Sequence, residues 1–242
     1  MRLTEQQKRF YDDFGYLCLP GLLVEEVGWI IEEFERVFQK HAPDHDRTKR
    51  TSISQMMEQS ERLCGLVDHP KVTGLIGSLI GDDFNYLGSG GELYVGGGMW
   101  HPDCHDSPVP QMKWAMYLDP LTKETGALRV VPGSHRQGWQ GNLDPEALWG
   151  ISAYDVPCVA PENRPGDVMV FNLKTLHNSL GGGVRRRMLN MVVCGHSETD
   201  IEREDLRRRL PVKREQLQWE TMLATATPER KRHLQQPWEV LA

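Results

Sequence analysis

The sequence predicts a mainly β domain with flanking helices, built as an antiparallel barrel or sandwich of the jelly-roll kind. Three observations predict it. From about residue 83 to about residue 197, apolar runs of strand length alternate with glycine and proline turns: FNYLG, ELYVG, KWAMYLD, ALRVV, YDVPCVA, GDVMVFN and MLNMVVCG. None of the gaps between them holds a long helical repeat, so βαβ units and a parallel sheet are not expected. On either side, over residues 1–82 and 198–242, the apolar spacing becomes helical. With no internal repeat and no low-complexity linker, the 242 residues read as one domain, 1–242, with a helical N-terminal part, a jelly-roll core and a charged helical tail.

Taken in order, residues 4–14 form a first helix, and GYLCLPG (residues 15–21) a short strand closed by Pro-Gly. Residues 25–38 place Val27, Ile30, Ile31, Phe34, Val37 and Phe38 at helical spacing. Residues 41–50 are polar and charged, and the stretch as far as Met57 is expected to form a lid over the site. A further helix over 69–81 ends at Gly81, and the strands follow. The tail (ETDIEREDLRRRL, PERKRHLQQ) is expected to present solvated helix faces, to cover one sheet or to make a dimer contact.

Composition narrows the function. Net charge is −6, from 28 Lys and Arg against 34 Asp and Glu, which gives no basic field for nucleic acid or an anionic membrane. Cys18, Cys64, Cys104, Cys158 and Cys194 are odd in number and scattered, without a CxxC pair, which argues against a disulfide framework or a structural zinc site. The polar N-terminus does not read as a signal peptide, and no apolar run reaches membrane-spanning length. A cytoplasmic protein acting on a small molecule, as a monomer or homodimer, is the expectation.

The chemistry concentrates in MWHPDCHD, residues 99–106, directly after Gly96-Gly97-Gly98. His101 and Asp103 are an H-x-D pair, and on extended chain alternate side chains point the same way, so both can reach one ion. Two ligands do not hold a metal. The best third candidate is His177, delivered at the end of the apolar strand that Pro165-Gly166 opens in PGDVMVFNLKTLHNS. Two histidines and one carboxylate form the facial triad, which leaves coordination positions open and marks non-heme Fe(II) oxygenases.

Cys104 falls on the opposite side of the extended chain and is not expected to ligate, while His105 is a candidate for substrate contact. His135 in PGSH reads as structural, and Trp100 and Trp114 as pocket walls or core. Tyr94, on the strand before the triad, is a candidate to point its phenol at a cosubstrate. Downstream, GGGVRRRMLNMVV sets three arginines at the mouth of a strand. A guanidinium aimed into a barrel needs a carboxylate partner, but periodicity alone does not choose among Arg185, Arg186 and Arg187.

The ordered set GYLCLPGLL, WHPDCHD, YLDPLTKETGALRVVPGSHRQG, PGDVMVFNLKTLHNS and RRRMLNMVV resembles the phytanoyl-CoA dioxygenase family over roughly residues 7 to 196. The most specific stretch is the strand with its Asp-Pro turn followed by G-A-L-x-x-x-P-G-S-H. The resemblance implies a double-stranded β-helix (a cupin-like jelly roll) and a dioxygenase using Fe(II), 2-oxoglutarate and O2. It makes His101, Asp103 and His177 the iron ligands, and Arg186 the partner of the distal 2-oxoglutarate carboxylate. Arg187 is the alternative, Arg185 the third choice, and Ser179 a hydroxyl donor to the same carboxylate.

Because Asp103 is present, the implied site is that of a hydroxylase rather than a halogenase, releasing succinate and CO2 as it oxidises an unactivated C–H. Two other readings compete: a cupin-like metal-binding protein without turnover, and a metalloenzyme of the same fold that does not use 2-oxoglutarate. The arginine run argues against both. The family name implies an acyl-CoA, for whose phosphates Arg47, Lys49 and Arg50 are candidates, but nothing else in the sequence supports it; a small polar or natural-product-like substrate is expected instead.

Overall fold

The computed structural model describes the whole chain except residues 95, 183–185, 212 and 242, and at Tyr94 the backbone alone. Its frame is a six-stranded, wholly antiparallel sheet in the order β1-β6-β4-β8-β3-β2. The strands are β1 Tyr16–Leu19, β2 Thr51–Ser54, β3 Asn85–Tyr94, β4 Gln111–Tyr117, β6 Val168–Asn172 and β8 Arg186–Cys194. Opposite lies a smaller pair, β5 Arg129–Val130 with β7 His177–Asn178. Isolated bridges at Trp100–Leu143, His101–His177, Leu121–Asn163 and Val130–Val159 extend that second layer.

Two runs expected as separate strands, FNYLG and ELYVG, are one strand, β3, with an irregularity between Tyr86 and Gly88. YDVPCVA is not a strand; only Val159 pairs, because the proline inside the run removes a ladder donor. Two of the six sheet strands precede residue 83: β1, where a short strand was expected, and β2, which occupies the stretch expected to be a lid. It is a fixed sheet edge instead, registered against Gly90 to Leu93.

Side-chain parity on β8 divides the molecule. Leu189, Met191 and Val193 face the large core, where they meet Ile30, Phe34 and Val37 of α2 (Val27–His41) and Leu75 and Ile76 of α4 (Pro70–Ile80). Met188 faces the opposite way, into the space between the layers, with Tyr117, Leu128 and Phe171.

The N-terminal helix α1 (Glu5–Phe14) opens with a capping box between Thr4 and Gln7 and ends on Gly15, which has φ +80°. That left-handed turn favours glycine. A Cβ at Gly15 would also meet Thr175 Oγ1 at 2.6 Å. The Gly15 carbonyl accepts from Thr175 Oγ1 and the Asn172 amide, tying this turn to the segment that carries His177. Two short helices, α3 (Glu61–Cys64) and α5 (Pro145–Trp149), complete the parts before the tail.

The tail holds α6 (Asp200–Arg209), α7 (Glu220–Ala224) and α8 (Pro228–Glu239); it covers the sheet with one side while its charged faces stand in solvent, as expected. His233 stacks on Phe84 with centroids 3.7 Å apart and reaches its carbonyl at 2.9 Å. Gln236 bridges Asn85 and Ser197. Arg230 and Asp68 pair at 3.0 Å with side chains only 4% and 7% exposed. A charge-assisted bond of this kind is worth about 1.5–3 kcal/mol, so Asp68→Asn is expected to lower stability by about that much in urea unfolding. An unchanged midpoint would show that the tail is not anchored there. Among the described residues no helix is long and apolar enough to cross a membrane.

Candidate metal centre and its cavity

His101 and His177 are brought together by the backbone. Their amides and carbonyls exchange two hydrogen bonds of 3.1 Å across the bridge, which sets the rings side by side with centroids 4.5 Å apart. Each Nδ1 lies against the carbonyl two residues upstream, Met99 O at 2.8 Å and Thr175 O at 2.9 Å. A carbonyl only accepts, so Nδ1 carries the proton in both rings and each Nε2 lone pair is left for a metal.

Asp103 is held by its amide on Leu173 O at 2.8 Å and turns its carboxylate to the same point. Its oxygens lie 3.8 Å from His101 Nε2 and 3.6 Å from His177 Nε2. One ligand atom from each residue falls within 4.8 Å of the others. A cation about 2.0–2.2 Å from such nitrogen and oxygen atoms is within reach of all three after a small contraction, so the donors fit a divalent ion with an open face.

Lys113, on β4, donates to Asp103 Oδ2 at 2.7 Å and lies 5.7 Å from the Phe171 ring centroid. Burial pushes the Asp103 carboxyl up, but the Lys113 ammonium and both imidazoles more than offset it, and its pKa lies below the ordinary value. Burial likewise pushes His177 down, to about 4, against the pull of Asp103.

The sign of the resulting pH effect is definite. Above pH 6.5 His177 is neutral whether the chain is folded or not; below it, the unfolded chain takes a proton that the folded protein refuses until about pH 4. Stability of the metal-free protein is therefore expected to fall by about 3 kcal/mol across that window, and Asp103 adds to the loss at lower pH. Denaturant unfolding in the presence of a chelator, at neutral pH and near pH 4.5, measures it. Equal stabilities would contradict the burial of His177.

The triad opens on a cavity of about 590 Å³ lined also by Lys113, Tyr117, Leu128, Phe171, Ser179, Met188 and Asn190. Arg186 is on the same face of β8 as Met188 and Asn190 and is fully buried. It donates to Gly126 O at 2.9 Å and to Gly96 O at 3.4 Å. Gly126 has φ +98°, and a Cβ there would collide with the guanidinium. The Tyr117 hydroxyl is buried without a satisfactory hydrogen bond, between Ser179 and the charge of Arg186; burial pushes its pKa up to about 12.

Arg187 faces the other way. It forks onto Asp119 at 3.0 and 2.6 Å and pairs with Glu35 at 2.6 Å, which removes it from the cavity and corrects its reading as a cofactor ligand. The side chain of Tyr94, and Arg185 entirely, lie outside the described residues.

Other expectations separate in the same way. His105 does not contact the cavity: the chain bends at Asp103 and again at His105, which breaks the alternation, and the exposed ring sits 3.6 Å from Asp106. Trp100 is core, packed with Leu143, Val156 and Leu176, its Nε1 donating to Ala153 O. Trp114 is core on the helix side. Cys104 is buried outside the ligand group. Arg47 pairs with Glu35, and Arg50 with Glu92 in the cavity wall, so neither stands as an open phosphate site. Lys113, Tyr117 and Asn190 were not singled out from the sequence, although a lone lysine in the apolar run QMKWAMYLD was a visible signal.

A family profile described as Phytanoyl-CoA dioxygenase (PhyH) matches residues 11–188. Among curated proteins, "Dioxygenase aneA" of Aspergillus aculeatus is 29% identical over 128 residues, 50% of this chain and 37% of that protein. The chain thus spans little more than a third of that relative. A Caenorhabditis elegans protein named "Probable phytanoyl-CoA dioxygenase" is 22% identical over 241 residues, 82% of this chain and 77% of its own length. Among solved structures, EctD from S. alaskensis with 2-oxoglutarate and 5-hydroxyectoine superposes with a TM-score of 0.67 at 24% identity, covering 80% of this chain and 76% of that one. HygX from Streptomyces hygroscopicus, with nickel and 2-oxoglutarate bound, superposes with 0.67 at 19% identity, covering 83% and 90%. At these identities the likeness is one of fold.

Proposed function

This chain belongs to the phytanoyl-CoA dioxygenase family, and on that premise we propose that it is an Fe(II)- and 2-oxoglutarate-dependent dioxygenase that hydroxylates an unactivated C–H of a small molecule. The observation that carries the reading is the convergence of His101 Nε2, His177 Nε2 and the Asp103 carboxylate beside a buried arginine on the same cavity face. His101, Asp103 and His177 would hold ferrous iron. Arg186, with the Ser179 and Tyr117 hydroxyls beside it, would hold the distal carboxylate of 2-oxoglutarate. That cosubstrate was bound in the EctD and HygX structures. The chemistry supplied by iron and 2-oxoglutarate, once bound, is oxidative decarboxylation to succinate and CO2 coupled to oxidation of substrate by O2.

The chain's own residues do the rest. The Met99 and Thr175 carbonyls fix the imidazole tautomers, and the bridge between the two histidines fixes their spacing. Lys113 orients the Asp103 carboxylate through Oδ2, which leaves its other oxygen for a metal. Leu128, Phe171 and Met188 supply apolar wall that limits bulk water, and the buried guanidinium meets a carboxylate in a low-dielectric setting where a charged hydrogen bond is strong.

Anaerobic addition of Fe(II) and then 2-oxoglutarate is expected to produce the weak visible charge-transfer band of the chelate, with succinate released on admission of O2. Metal binding without a band on adding 2-oxoglutarate would overturn the proposal in favour of a cupin-like binder.

A further inference from the structure

A second cavity of about 600 Å³ adjoins the first and shares Asp103, Lys113 and Asn190 with it. Its walls differ in origin. The family match ends at residue 188, whereas Arg208, Arg209, Leu217 and Trp219 of this chamber all come from beyond it. The docked tail thus closes a chamber against one side of the candidate metal centre.

Three polar groups on its walls stand out. The Asn190 carboxamide, 7% exposed, lies at the boundary between the two cavities. Gln111, 4% exposed, donates to Ser107, but its Oε1 is buried with no partner. A buried amide oxygen in this condition costs stability unless water or a ligand satisfies it.

The third is Arg208. Its neighbour Arg209 forks onto Asp205 at 2.8 and 3.0 Å, and Ser107 donates to the same carboxylate at 3.0 Å. Arg208 makes only a 3.4 Å contact to that already engaged carboxylate, and its side chain is 59% exposed. A cation whose nearby acceptor is largely taken, at the rim of a chamber floored by Leu217 and Trp219, matches an anion carrying an apolar body.

Resting on the function proposed above, we infer that this chamber is the substrate site and that its substrate is a small acid. The anionic group lies on Arg208, the apolar body against Leu217 and Trp219, and polar atoms near the oxidised carbon meet Asn190 and Gln111. A carboxylate and a phosphate satisfy Arg208 equally, so the test separates them.

The protein saturated with Mn(II) and 2-oxoglutarate is titrated with para-fluorophenylacetate, para-fluorophenyl phosphate and methyl para-fluorophenylacetate. Paramagnetic broadening of the fluorine signal reports occupancy close to the metal, and saturating 2-oxoglutarate keeps the acids off its own site. At least one acid is expected to broaden and the neutral ester to stay sharp, the stronger acid naming the anion. Arg208→Gln should weaken that binding about fivefold and Arg208→Glu further, the scale of one exposed charge pair. Because this side chain is exposed, both variants should fold as wild type does, which thermal melts verify.

No broadening by either acid, equal broadening by the ester, or equal affinity in the Arg208 variants would overturn the inference. Calorimetric titration of 2-oxoglutarate into the metal-loaded wild type separates the two levels. If 2-oxoglutarate binds and the acids do not, the substrate assignment alone fails. If 2-oxoglutarate does not bind, the function beneath it fails.

Discussion

Replacing Arg186 by alanine is expected to weaken 2-oxoglutarate binding by about 2–5 kcal/mol, a loss of roughly 30-fold to several thousand-fold. The size follows from burial. The guanidinium is inaccessible to solvent and is steered by the Gly126 and Gly96 carbonyls toward the side of β8 that also presents Met188 and Asn190. Truncation would leave the distal carboxylate in a dry pocket with only hydroxyls to meet it. Arg187→Ala, one residue along, is the control with the opposite signature. It strips Asp119 and Glu35 of their shared partner and should cost about 3–5 kcal/mol of folding stability, with 2-oxoglutarate affinity retained in the protein that still folds. Calorimetry for affinity and urea unfolding for stability read the two effects separately. An affinity loss in Arg187→Ala, or none in Arg186→Ala, would move the anion site off the inward face of β8.

His177→Ala is expected to lower ferrous-ion affinity by more than about 100-fold, beyond what changes to groups that merely support a ligand produce, and to abolish succinate release. The effect is large because the remaining ligands, His101 and Asp103, are two residues apart on one short segment and cannot enclose a face of the ion without the ligand from the opposite strand. The variant should still fold, since the backbone pairing of residue 177 with Val130 and His101 does not depend on the imidazole. Removing a buried imidazole held neutral should also flatten the pH dependence of metal-free stability between 6.5 and about 4. Tight iron binding by the variant, seen in equilibrium dialysis, would mean that the metal sits elsewhere.

Much of the fold was legible because its signals are local. The helix that Thr4 caps and Gly15 ends, the strand at residues 16–19 and the helix stopped by Gly81 follow from capping, periodicity and turn chemistry within a few residues. The edge strand β2 was missed because TSIS, between charged and polar residues, carries one buried apolar side chain, Ile53. Its strand identity comes from pairing with β3, a partner some forty residues away. The charged tail was ambiguous for a related reason. Its apolar anchors, among them Leu206, Trp219, Met222 and Leu234, are spread thinly between charges, and periodicity does not register its polar ones, Asp68 with Arg230 and Gln236 with Asn85.

For the site, the residue types of the triad and the family they belong to were determined by the sequence alone, since H-x-D, the distal histidine and the PGSH stretch occur in fixed order along the chain. The choice among the arginines was not, because parity on a strand is relative: Arg186 and Arg187 exchange faces with a register shift of one residue. Only the pairing of β8 with β3 and β4 turns Arg186 to the face that carries Met188 and Asn190, and Arg187 onto Asp119 and Glu35. The same pairing sends Lys113 to Asp103 and Asn190 to the boundary of the two cavities, while the docking of the tail brings Arg208 and Trp219 to the second one. Those contacts join residues far apart in sequence, and the geometry that joins them exists only once the sheet has formed.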